Sequence, residues 1–348
     1  MTVFTVSRAL GAALLVGMAC SAMAATPTYR VEDLGGINPG LGSDAMAINR
    51  YGQAVGNSTD MDGVMWAVGF TGDVKPLTGV TSPSEANGIN RKGQIVGGMT
   101  VGGNYHAFTW DQDVATDIGT LGGATSNAYG IADRGHVVGT SAIATGQTHA
   151  FLWAKGSVMH DLGTLGGPTS TARAINAHST IVGFSELADH SVHAFISTKA
   201  HRALMDLGVV NGPYAGGKSF AMDVNADEIV TGSSTVAPGS HDLHAFRWTA
   251  AGGFVDLGTL GGGTESGGRA VTPAGYVVGY AIVANGDSHG WIVKPGGTTL
   301  VDLNDHLDPA TGAGWVINDV CGIDTDGQII GTGTIGGVTH AYKLTPMN

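Results

Sequence analysis

The sequence predicts an all-β chain closed into a ring, a seven-bladed β-propeller with four-stranded blades, and three observations carry that prediction. The first is a doublet that returns seven times: Val55-Gly56, Val96-Gly97, Val138-Gly139, Val182-Gly183, Thr231-Gly232, Val278-Gly279 and Ile330-Gly331, at glycine spacings of 41, 42, 44, 49, 47 and 52 residues. The second is four short strand-like segments within each repeat and no segment of helical period between them. Four strands in roughly 45 residues is the length of a propeller blade. The third lies at the two ends. Residues 29–35 (YRVEDLG) read as a fourth strand without a third, and residues 340–344 (HAYKL) as a third without a fourth. Pairing them shuts the ring, whereas an open solenoid would leave two raw strand edges.

Each element follows from local chemistry. Strand one is an S-x-A-x-A-I-N stretch such as Ser170–Asn176. An N-x-x-G turn, Asn90-Arg91-Lys92-Gly93 for instance, leads to strand two, and both asparagine and glycine tolerate the positive φ of a hairpin turn. In strand three, His149, Phe151 and Trp153 alternate with Ala150 and Leu152, so both faces are apolar, as a blade sandwiched between neighbours requires. Strand four is the D-L-G segment, Asp161-Leu162-Gly163. Small residues precede the strand-one isoleucines or valines where blades crowd toward the axis, with Asp223 the exception. Two connections exceed the period, 209–218 and 304–315, and loops of this kind are where recognition is expected.

Residues 1–24 read as a secretory signal peptide: Arg8, then the apolar Ala9–Ala19, then Ala22-Met23-Ala24 as a small-x-small cleavage site. The apolar core is too short to span a bilayer, and Gly17-Met18-Ala19 before Cys20 is a poor lipobox. A single propeller domain over 25–348 is expected, secreted to the periplasm or the cell exterior, monomeric and not inserted in a membrane. Loss of Arg8 leaves 15 basic against 28 acidic residues, a formal charge of −13, which argues against nucleic acid or an anionic membrane as partner. Only Cys321 survives cleavage, so no internal disulfide forms and stability rests on packing. Glycine, 58 of 348 residues, falls at fixed phases and therefore marks turns and close strand approach, not disorder.

His-Ala-Phe stands at 106–108, 149–151, 193–195 and 244–246, DLGTLGG at 161–167 and 256–262, and INRKGQIVG at 89–97. On these motifs the chain resembles the HAF-type extracellular repeat family across nearly all of its mature length. That resemblance implies a bacterial, exported repeat protein and supplies no settled activity or catalytic residue. Blade one departs from the pattern, with Trp66-Ala67-Val68 for the triplet and Pro76 for the strand-four aspartate; blade six has His289-Gly290-Trp291 and blade seven His340-Ala341-Tyr342.

The recurrent histidines occur once per blade, so a ring spreads them apart, and no metal site or other cofactor is expected from them. Each is expected to pair with the strand-four aspartate of its blade: His106 with Asp117, His149 with Asp161, His193 with Asp206, His244 with Asp256, His289 with Asp302 and, across the closure, His340 with Asp33. Blade one lacks both members, as a shared hydrogen bond between buried partners predicts. The recurrent serines 43, 84, 126, 170, 219 and 266 are expected to fix loops, since a nucleophile is needed once and not six times. Asp60 and Asp62 form a fragment of an oxygen-ligand loop, a weak calcium candidate, while Asp324 falls in a hairpin turn.

Residues that do not recur are where a repeat fold can build one site. Alternate strand-one positions supply Asp44, Glu85, Asn87, Tyr129, Arg173 and Arg269, and the loops between strands two and three supply Tyr105 and His190. Polar and aromatic groups around a shallow mouth suit a glycan or a protein ligand, so the sequence is read as a non-catalytic binding protein working at the rim of the 4-to-1 and 2-to-3 loops. No catalytic residue is assigned. A glycan hydrolase or lyase built on Glu85, Glu186 or Glu265 with Arg173 or Arg269 is the enzymatic alternative, and a structural role in surface assembly is the third.

Overall fold

The computed structural model describes residues 26–38, 40–70, 74–200 and 203–347. The expected signal segment 1–24, with Cys20, lies outside them. Seven four-stranded antiparallel sheets form the seven blades, and the one helical element among the described residues is the 3-10 turn Leu303–His306. Blade four is typical, with strands Gly166–Ile175, Ile181–Leu187, Val192–Ser197 and Met205–Gly208. The first strands of successive blades touch in turn, and Trp315–Ile323 of blade seven returns to Ser43–Ile48 of blade one, which closes the ring.

Closure uses the two ends of the chain. Tyr29–Gly35 pairs antiparallel with Val338–Pro346, setting Val31 opposite Leu344 and Asp33 opposite Tyr342. The long connection into blade seven lies along the other edge of Tyr29–Gly35. Leu307 bridges Tyr29, the Asp308 amide donates to the Tyr29 carbonyl at 2.8 Å, and the Val31 amide donates to Thr311 Oγ1 at 3.0 Å. That loop shields an edge that would otherwise be open to pairing. The connection 209–218 is pinned in the same way, with Lys218 bridging Val192 and the Tyr214 hydroxyl donating to Thr235. In both places extra length covers structure, where the sequence led us to expect recognition.

The core consists of layers between facing blades. Phe108 of blade two packs with Val55, Ala67 and Leu77 of blade one, and Phe246 of blade five with Val182 and Ile196 of blade four. The third residue of each triplet is fully buried: Phe108, Phe151, Phe195, Phe246, Trp291 and Tyr342, with Val68 in blade one. Each such side chain contributes about 1.5–3 kcal/mol by leaving water.

Recurrent polar residues join one blade to the next. Ser170 Oγ accepts the Ala150 amide of blade three at 2.8 Å and donates to the Gly163 carbonyl; Ser126, Ser219, Ser266 and, across the closure, Ser43 repeat this arrangement. The turn asparagines act through their side chains and not through positive φ, which falls on Gly52, Gly93, Gly135, Gly275 and Gly327, and on Ser179 and Glu228 in blades four and five. Asn90 Oδ1 accepts two amides of its own turn, from Lys92 and Gln94, while Nδ2 donates to the Ala132 carbonyl of blade three. Such local caps are what asparagine side chains do best.

Candidate functional site

All seven first strands carry a register break at the same point, between Ala45 and Ala47 in blade one and between Ala172 and Ala174 in blade four, for example. The doublet glycine makes this possible. A Cβ on Gly56, Gly97, Gly139 or Gly183 would lie 2.0, 1.8, 2.0 or 2.0 Å from the carbonyl oxygen of Asp44, Glu85, Asn127 or Thr171, so the folded-over first strand admits glycine alone. A bulge re-aims the extra side chain. Here the extra residues are Met46, Asn87, Tyr129, Arg173, Met222, Arg269 and Cys321, and all seven line one cavity of about 630 Å³ on the ring axis.

The wall of this channel is polar and uneven. On blades one and two it is acidic. Burial and the charge of Glu85 push the Asp44 carboxyl up to about 6 against the opposing bonds from Asn57, and Asp44 Oδ1 is buried without a hydrogen-bond partner. Tyr105 stands behind Glu85. Its ring covers Gly98, where a Cβ would meet Tyr105 Cε1 at 2.1 Å, and burial, then Glu85, pushes its phenol upward. The hydroxyl is buried outside hydrogen-bonding geometry. Glu85 accepts from Asn127 Nδ2 at 3.4 Å, and Asn87 Nδ2 donates to Asn127 Oδ1 and to the Ala128 carbonyl.

On blade four the wall is cationic. The Arg173 guanidinium lies 4.3 Å from the centroid of the Tyr129 ring, burial lowers its pKa, and it makes no hydrogen bond or ion pair among the described residues. The second cation is already neutralised: Arg269 Nη2 lies 2.8 Å from Asp319 Oδ2, and its guanidinium stacks 4.7 Å from the Tyr280 centroid. Burial pulls the Arg269 pKa down and Asp319 more than restores it. Asp223 spends both oxygens on backbone amides, of Val224 and of Val271 in the next blade, which accounts for an acid at a crowded position. The Cys321 thiol is pushed far up by burial, the opposite of an activated nucleophile.

Of the sequence-predicted binding residues, Asp44, Glu85, Asn87, Tyr129, Arg173 and Arg269 line the channel and Tyr105 backs it. His190 does not. It sits in the turn between strands two and three of blade four at φ +66°, its side chain 79% exposed and its Nδ1 2.6 Å from Glu186 Oε1. Glu186 also accepts from Thr169, and neither Glu186 nor Glu265 lines the cavity. The loop rim is therefore not where the expected residues meet; the channel wall below it is. The calcium candidate is occupied otherwise: Asp60 accepts from the Asp62 and Val64 amides and from Trp66 Nε1 at 2.7 Å, a ring of donors and not of ligands. Trp66 replaces the blade-one histidine and so brings its own carboxylate.

The other six blades hold the histidine and aspartate within bonding distance. Nδ1 lies 2.9 Å from Asp117 for His106, 2.8 Å from Asp161 for His149, 2.9 Å from Asp206 for His193, 3.0 Å from Asp256 for His244, 2.6 Å from Asp302 for His289 and 2.9 Å from Asp33 for His340. Each aspartate also accepts an amide two residues on, for example Gly163 for Asp161, so the pair sits on a turn. The pairs are part-exposed, not buried as the sequence argument assumed, and a lone member would cost less than that argument implied.

Neither a family model nor a curated protein matches the chain. Among solved structures it is similar to an oligogalacturonate lyase from Vibrio parahaemolyticus, at a TM-score of 0.56 and 10% identity over 92% of this chain and 98% of that one. It is also similar to a prolyl endopeptidase, at 0.55 and 12% over 92% and 51%, and to TolB from Acinetobacter baumannii, at 0.44 and 9% over 73% and 64%. The chain thus spans about half of the peptidase and under two thirds of TolB. At these identities the likeness to the first two is one of fold.

Proposed function

We propose that the protein is an exported binding propeller whose ligand, a glycan or a segment of a protein, enters the central channel from the side of the 4-to-1 and 2-to-3 loops. The observation that carries this reading is Arg173. A cation that has lost much of its hydration, with the charge of Glu85 in range but no carboxylate paired to it, weakens the fold, so its place on a cavity wall speaks for a ligand that completes it. Export rests on the signal-like segment and membership of the HAF-type repeat family on the His-Ala-Phe triplets. A glycan-array screen of the purified chain, followed by calorimetry on the hits, tests the reading. Arg173→Gln is expected to weaken every genuine hit at least about tenfold, the scale of one charged hydrogen bond; unchanged affinity would place the site elsewhere.

One observation favours a second reading, glycan cleavage. Burial first, and then the charge of neighbouring Glu85, push the Asp44 carboxyl up to about 6, a position from which a carboxyl can act as an acid beside a second carboxylate. Among the fold neighbours is a lyase named for oligogalacturonate. Release of reducing ends or of unsaturated products from an array hit, lost in Asp44→Asn, would decide for the enzyme.

A further inference from the structure

The channel has open groups and closed ones, and their difference selects a ligand. Closed are Arg269, held by Asp319, and Asp223, whose oxygens take two backbone amides. Glu85 is partly met by Asn127. Open are the Arg173 guanidinium, with a planar fork of donors, and the second oxygen of Glu85, whose partner Asn127 meets only Oε2; Asp44 Oδ1 is unpartnered but buried away from the channel. Blades two and four are two places apart, so one ligand answering both spans part of the channel.

Resting on the binding role proposed above, we infer that the unit read in the channel is a hydroxylated monocarboxylic acid, a uronic-acid residue of a glycan, with its carboxylate on Arg173 and a hydroxyl toward Glu85. A carboxylate matches the fork of a guanidinium with two parallel bonds. A phosphate ester fits less well. The wall carries four carboxyl groups, of Asp44, Glu85, Asp223 and Asp319, against two guanidinium groups, so the group seated on Arg173 is better tolerated with one negative charge than with two. Met222, on the blade next to Arg173, gives the C–H face of a sugar ring an adaptable apolar contact.

Calorimetry on the purified full chain tests this with trimers of galacturonate, glucuronate and mannuronate, the methyl esters of each, neutral hexose trimers and trialanine. At least one uronate trimer is expected to bind, with its ester and neutral counterpart about ten- to a hundredfold weaker, the range for loss of a charged hydrogen-bonded pair. Arg173→Gln, with folding checked by circular dichroism, should bring the acid trimer down to the level of its ester, and Arg173→Lys should recover the charge preference only in part. Neutral trimers or trialanine binding as well as the acids, or no binding by any uronate, would overturn the inference. The binding role itself would survive that result if array hits of another class still depended on Arg173, and would fail only if Arg173→Gln altered no binding at all.

Discussion

The shell of the propeller and the wall of its channel are built from the same strands and obey different rules. In the shell the recurrent polar groups are answered. Ser170 receives an amide and gives to a carbonyl, Asn90 serves its own turn and the next blade, and each rim histidine has its aspartate. In the channel, the positions one and three residues beyond those serines vary from blade to blade, and some are left unanswered, Arg173 and Asp44 above all. Repetition here marks what holds the ring together. Singularity marks what it can do.

Substitutions can break this contrast, starting with the largest effect. Tyr342 is fully buried at the closure and its hydroxyl donates to the Asp319 carbonyl at 2.9 Å. Tyr342→Ala should cost about 3–5 kcal/mol in urea unfolding, and a loss below about 1 kcal/mol would mean that the closure carries little of the stability. Ser170→Ala strands the buried Ala150 amide and should cost about 1–3 kcal/mol, while leaving ligand affinity unchanged if the shell is only a shell.

The channel should respond with the opposite sign. Because the folded-state pKa of Asp44 is pushed up to about 6 from 3.8, the native state keeps a proton that the unfolded chain loses between those values. Stability from this group is therefore full below about pH 4, falls as pH rises toward 6, and is flat above. Asp44→Asn should flatten that slope and raise stability at pH 7 by about 1–2 kcal/mol, somewhat less than the full shift at 1.36 kcal/mol per unit because the group keeps some contact with solvent. A variant less stable than the parent at pH 7 would move Asp44 from the site to the scaffold.

The ring was legible in the sequence because its causes are local or periodic. The Val-Gly doublets, the unpaired strands at 29–35 and 340–344 and the joint loss of histidine and aspartate in blade one all follow from spacing alone. The strand-one residues of the channel were legible from alternation. What alternation does not reveal is the bulge, which turns Arg173 and its counterparts onto the axis, although the doublet glycine is its signature. The capture of Arg269 by Asp319, 50 residues on, depends on how neighbouring blades meet. The Tyr105 ring depends on its own blade: it lies in the space left by Gly98 on the paired strand. His190 and Asp60 lie away from the channel for the reverse reason: each is taken by a partner within six residues, in a turn whose geometry the composition does not specify.

The central claim is that channel residues are kept for a ligand and not for the fold, and Arg173 tests it most directly. Urea unfolding of Arg173→Gln beside the parent chain, without any ligand, is the measurement. Removing a half-buried cation that has no counter-ion should leave the midpoint unchanged or raise it, because the lost stacking on Tyr129 is offset by the relief of desolvation. A fall of more than about 1 kcal/mol, the scale of a net structural hydrogen bond, would show that Arg173 belongs to the scaffold and would contradict the account.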